Sequence, residues 1–109
     1  MTITLARLVG PKYIETSTTS QYIAASKTIV DSAVITNVGG SDITFSVYLV
    51  PNGDLPSNEN KVVSAVLLKP SESYSLSEIT LQVLDSGDSL AAISSELESA
   101  LLVISGRIV

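Results

Sequence analysis

"NVGGSDITFSVYLVPNGD" (residues 37–54) sets one strongly alternating apolar run between two glycine-containing turns. In an extended chain Ile43, Phe45, Val47 and Leu49 fall on one face, and Thr44, Ser46, Tyr48 and Val50 on the other. A period of two, built from β-branched and aromatic residues, describes a half-buried strand inside a sheet. Gly39, Gly40 and Gly53 suit the tight turns at its ends. Pro51 stops it, because proline has no N–H to give to a ladder.

Working outward, the pattern recurs. "TITLARLV" (2–9) alternates, "SQYIAASKTIV" (20–30) does so more loosely, and "SAVIT" (32–36) runs into the turn before Ile43. "PNGDLPSNEN" (51–60) holds the residues that turns select and reads as a loop. "KVVSAVLL" (61–68) is a strand stopped at Pro70, and "ESYSLS" (72–77) is a short one. "ITLQVLDSGD" (79–88) fits either a strand or one helical turn capped by Gly87, and periodicity does not separate the two. "SLAAISS" (89–95) and "ALLVISGRIV" (100–109) close the chain. "ISSELESALLVI" (93–104) has partial helical spacing, but its β-branched tail and Gly106 favour a strand after Ala100.

About eight short strands without a linker or repeat predict an all-β fold with under about 15% helix. The expected architecture is a single antiparallel β-sandwich over residues 1–109, jelly-roll or immunoglobulin-like. Ile35, Ile43, Phe45, Val47, Leu49, Val66, Leu68 and Val103 should line its core, with Leu101 a further candidate.

Composition narrows the function. The 109 residues carry no cysteine, so neither a disulfide nor a thiolate metal site is expected. No basic leader or unbroken apolar stretch precedes the first strand, and nothing approaches the roughly 18 to 20 apolar residues of a membrane-spanning helix. A soluble protein made in a reducing cytoplasm is the expectation. A net charge of -5 with six scattered basic residues offers no stripe for nucleic acid. Only 16% of residues are charged against 45% hydrophobic, a low charge density for a small free domain, which fits either a surface made polar by Ser and Thr or apolar surface covered by other subunits.

Histidine is also absent, which removes the commonest general base and any Ser-His or Cys-His pair. Two carboxylate pairs exist: Asp85 with Asp88, and Glu96 with Glu98, the latter expected on one exposed strand face. "NGDLPSNEN" and "DSGD" contain oxygen ligands but match no EF-hand spacing, and turns select the same residues. Tyr13, Tyr22, Tyr48 and Tyr74 could stack on sugars, yet sugar modules usually lean on tryptophan, and there is none. No catalytic residue, cofactor or metal ligand is expected, and the chain reads as a non-enzyme.

Four segments taken in order resemble small virion-associated structural proteins of tailed bacteriophages: "AVITNVGGSDITFSVYLVPNGD", "LLKPSESYSL", "LQVLDSGDSLAAIS" and "SGRIV". The shared pattern is Thr-Asn before a turn, a strand ending "YLVP.G", a Pro-Gly-Glu-Ser-Tyr-like turn and "VL..GD", and the resemblance spans residues 29 to 109. Ser71 stands where that turn commonly carries glycine, and the loop with Pro56 departs from the usual small-residue filler.

The resemblance implies a virion location and a structural role. A capsid cement or decoration protein is favoured over a tail, neck or fibre-associated subunit, and a carbohydrate-binding host-attachment module is the alternative of another class. The implied partners are other virion proteins, either the major capsid protein or tail proteins, and the shortage of charge adds the expectation of further copies of the chain. Candidate interface residues are Ile3, Leu5, Tyr48, Leu55, Pro56, Tyr74, Arg107, Ile108 and Val109. The terminal segments "MTITL" and "RIV" are expected to pair across chains as added strands, so that trimming residues 105–109 weakens assembly more than the fold.

Overall fold

The computed structural model describes residues 3–109, and its nine strands follow the alternation closely. They are β1 (Thr4–Tyr13), β2 (Thr19–Ile23), β3 (Thr28–Asn37), β4 (Ile43–Val50), β5 (Lys61–Leu68), β6 (Ser73–Ser75), β7 (Val83–Leu84), β8 (Ser89–Ser94) and β9 (Ala100–Ile108). Helix is absent among the described residues.

Two antiparallel sheets face each other. The first runs β1-β9-β3-β6, with β7 also pairing β3, and the second runs β2-β8-β4-β5. One set of pairs is nested, β4 with β5, β3 with β6 and β7, β2 with β8, and β1 with β9, and β4–β8 and β3–β9 join these within the two sheets. The chain is thus one long hairpin, folded back at residues 51–60 and rolled so that successive strands mostly change sheet. That connectivity is a jelly roll. The immunoglobulin-like alternative is set aside, because it keeps the first two strands in one sheet and here β1 and β2 lie in opposite sheets.

The core lies between the sheets. Ile35, Ile43, Phe45, Val47 and Leu68 are buried as expected, while Leu49 and Val66 pack half-buried against them. Phe45 meets Tyr74 of the opposite sheet edge to face, with centroids 5.5 Å apart. Leu101 and Val103 face outward instead of inward, and Leu102 and Ile104 take the core positions. Register decides this. Leu102 pairs with the buried Ile35, and Ile104 with the buried Ala33.

Two segments break where they were read as continuous. "SQYIAASKTIV" crosses from one sheet to the other at residues 24–27, held there by the Ala24 N–H to the Asp88 carbonyl. Within "ITLQVLDSGD" the strand is shorter than expected, and the helical turn lies at the segment's start and is not capped by Gly87, whose N–H donates to the Ala24 carbonyl. The Ile79 and Thr80 N–H groups donate to the Leu76 carbonyl in a single helical turn, and only Val83–Leu84 is strand. That turn buries Leu76 and Ile79 completely, so it closes the core where a full-length strand would otherwise run.

At the open side between β1 and β2, Lys12 Nζ donates to both Glu15 carboxylate oxygens at 3.1 Å and to Gln21 Oε1 at 2.6 Å. Gln21 Nε2 in turn donates to Glu15 Oε1, and that bond, more than the Lys12 charge, holds the Glu15 carboxyl below its ordinary range against the opposing effect of burial.

Candidate interaction surface

Several of the polar side chains singled out as possible chemistry hold turns. Asp88 accepts the Asn52 N–H through Oδ1 and the Asp85 N–H through Oδ2, tying loop 85–88 to the turn after β4. Gly87 sits between them at φ 91 with the Asn52 side chain against its Cα, so a Cβ there would be both strained and blocked. Asp85 reaches only Lys27, at 3.8 Å on the surface.

Glu96 and Glu98 do not share a strand face. They lie in the turn between β8 and β9, where the Ser94 and Ser99 hydroxyls bond the local backbone and favour a turn over an extended chain, and Ser95 Oγ accepts the Thr44 N–H of β4. In the loop 51–60, Asn60 bonds the Ser57 N–H and the Leu55 carbonyl, and Ser57 Oγ accepts the Glu59 N–H. These are turn-forming uses of Asn and Ser. Among the described residues no three His, Cys, Asp or Glu side chains come together.

The large apolar side chains behave differently. On the outer face of the first sheet, Leu5 stands beside Arg107, and Arg7 beside Ser105, while Leu101, Val103 and Val34 continue the face towards the other end. Leu5 is 78% exposed. Arg107 is bidentate to Asp31 (Nε–Oδ1 3.0 Å, Nε–Oδ2 3.1 Å, Nη2–Oδ1 2.9 Å), which neutralises both groups. Leu5, Ala6, Arg7, Asp31, Ser105 and Gly106 line a shallow hollow of about 410 Å³. Arg7 is exposed and has no carboxylate within ion-pair distance among the described residues.

The expected interface residues scatter over several surfaces. Ile3 and Leu5 are exposed on edge strand β1 and just before it; Met1 and Thr2 of the segment "MTITL" lie outside the described residues. Leu55 and Pro56 are exposed at the tip of the loop where the hairpin folds back. Tyr48 lies on the outer face of the second sheet with Lys61 Nζ 5.6 Å from its ring centre. Tyr74 points between the sheets, with its ring on Phe45 and its hydroxyl donating to Glu78 Oε2 at 2.6 Å. That bond, with some burial and the carboxylate charge, raises the Tyr74 hydroxyl above its ordinary value of 10.0. Arg107, Ile108 and Val109 are half-buried.

Strand addition through "RIV" is corrected by the topology. β9 already has β1 on one side and β3 on the other, so it offers no free edge.

Sequence reading missed Leu97 and Leu81, exposed at 72% and 68%. Leu97 sits between Glu96 and Glu98 in a serine-rich turn, and that pattern of one apolar residue flanked by charges was the available signal. No protein-family model, curated protein or solved structure matches the chain.

Proposed function

We propose that the chain is a structural subunit of a bacteriophage particle, acting as a cement or decoration protein that bridges capsid subunits. One observation carries the reading. Asp88, Asn60, Ser57, Ser94 and Ser99 use their side chains to hold turns, while leucines that would normally be inside stand at the surface, with Leu5 at 78%, Leu55 at 81% and Leu97 at 72% exposure. A rigid body with preset apolar contacts suits bridging between fixed neighbours, since little entropy is lost on docking. The ordered motifs that resemble those of virion-associated proteins support it, for each lies at a turn that the fold uses: Thr36-Asn37 at the end of β3 just before one, and Pro51–Gly53, Pro70–Glu72 and Gly87-Asp88 within one.

The carbohydrate-binding alternative has less support, because Tyr74 is engaged with Phe45 and Lys61 stands over the Tyr48 ring. The test is to locate the chain in purified particles by mass spectrometry and labelled electron microscopy. A fixed copy number on the capsid shell is the expected result. Its absence from particles, or sugar binding that depends on Tyr48, would overturn the reading.

A further inference from the structure

The turn between β8 and β9 is built as a rigid protrusion. Ser94 Oγ both accepts the Glu96 N–H and donates to the Glu96 carbonyl, Ser95 Oγ accepts the Thr44 N–H, and Ser99 Oγ donates to the Leu97 carbonyl. At its tip Leu97 is 72% exposed, and neither flanking glutamate is in an ion pair. The hollow on the first sheet is its chemical counterpart. It is lined by the apolar Leu5, by the small residues Ala6, Ser105 and Gly106, and by Arg7, whose guanidinium has no ion-pair partner among the described residues. Its one acid, Asp31, is already neutralised by Arg107.

We propose that the chain associates head to tail with further copies of itself, Leu97 of one copy seating in the hollow of the next while Glu96 or Glu98 pairs with Arg7. Protrusion and hollow cannot meet within one molecule. The first lies just before Ala100 and the second beside Ser105 and Gly106, about 20 Å along β9 at about 3.3 Å per residue. The contact therefore joins two different surfaces, which generates a ring when the rotation closes and a filament when it does not. Charge complementarity selects a second copy, since the same chain supplies both the carboxylates around Leu97 and the cation that faces them. A small molecule is a poorer occupant, because the hollow is shallow and would leave most of such a ligand in water. The inference is independent of the particle reading: self-association with no place in a particle would sink that reading and leave this one standing.

The experiment uses the full chain and two surface variants, Leu97→Ser and Arg7→Glu, with circular dichroism to verify an unchanged fold. Sedimentation should show concentration-dependent association of the unmodified chain, weakened by salt. Each variant alone should lose at least tenfold in affinity. An equimolar mixture should recover one contact, between the intact hollow of Leu97→Ser and the intact protrusion of Arg7→Glu, and stop at a one-to-one complex. A chain that stays monomeric at millimolar concentration overturns the proposal, and so do variants that associate like the parent. Loss in both variants without recovery in the mixture overturns it too, because that pattern belongs to a symmetric contact.

Discussion

Asn37 shows how one polar residue can hold the fold without doing chemistry. It is fully buried, its Nδ2 donates to the carbonyls of Ser41 and Leu68 at 2.8 and 3.0 Å, and its Oδ1 accepts the Gly39 N–H at 3.0 Å. Its own N–H and carbonyl bond Glu72 and Ser71, so the turn 39–41, the end of β5 and the turn 71–72 converge on it. Asn37→Ala strands buried backbone groups and should cost about 3 kcal/mol, read from a denaturation midpoint at unchanged slope. Ser71 presents the opposite case. It is third in the turn Lys69–Glu72, after Pro70, with φ 68, a position where a Cβ is a liability. Ser71→Gly should therefore stabilise the protein by about 0.5 to 1 kcal/mol, the relief of left-handed strain exceeding the entropy added to the unfolded chain. A loss on thermal melting would show that Ser71 makes a compensating contact.

At the scale of elements, legibility followed how unambiguous each alternation was. β4 could be read residue by residue because Thr44 and Ser46 interrupt its apolar positions. β9 could not, since Leu101 with Leu102 and Val103 with Ile104 put apolar side chains on both faces, and only pairing with β3 selects the inner pair. The β5 register was hidden for another reason. β5 carries extra residues opposite β4, and Ala65 sits at φ 46 with its N–H on Ser46 Oγ at 2.9 Å. That bulge depends on a hydroxyl from another strand and leaves no local signature. The surface was less legible still, because the flanking glutamates were the one local sign of Leu97's exposure and only its turn sets it outward.

Two outcomes belong at this scale. Deleting residues 105–109 removes strand partners from β1 and β3 together, so it should abolish the cooperative unfolding transition itself; a truncated chain that still melts cooperatively would mean β1 and β3 hold without it. The Tyr74–Glu78 bond ties β6 to the helical turn that closes the core. Because folding raises the Tyr74 pKa, the unfolded chain releases that proton first. The bond's contribution is complete below pH 10.0 and is lost as pH rises through the elevated value. Chemical denaturation between pH 9 and 11 should show a steeper loss for the parent than for Tyr74→Phe, and parallel curves would remove the bond from the stability account.

For the whole molecule, the nested pairing predicts an order of folding. β4 and β5 are the sole paired strands adjacent in sequence among the described residues, joined by a loop whose ends Pro51 and Asn60 already make local bonds. Further pairs enclose it in turn, β3 with β6 and β7, β2 with β8 and finally β1 with β9, where Thr4 meets Ile108 across almost the full length of the chain, while β4–β8 and β3–β9 join these pairs side by side in the two sheets. Closing a loop costs entropy that grows with its length, so each inner pair shortens the effective loop for the next. The β4–β5 hairpin with Phe45 and Val63 should be formed in the transition state, and the β1–β9 pair should form after it. Such non-local topology places folding in the range of milliseconds to seconds. Val63→Ala should then mainly slow folding, whereas Val9→Ala and Leu102→Ala should mainly speed unfolding, each read from the limbs of a chevron plot. Equal partitioning of all three between the limbs would replace nested closure with a diffuse collapse. Slower folding on Leu102→Ala alone would reverse the order, making the joining of the two chain ends the step that organises the rest.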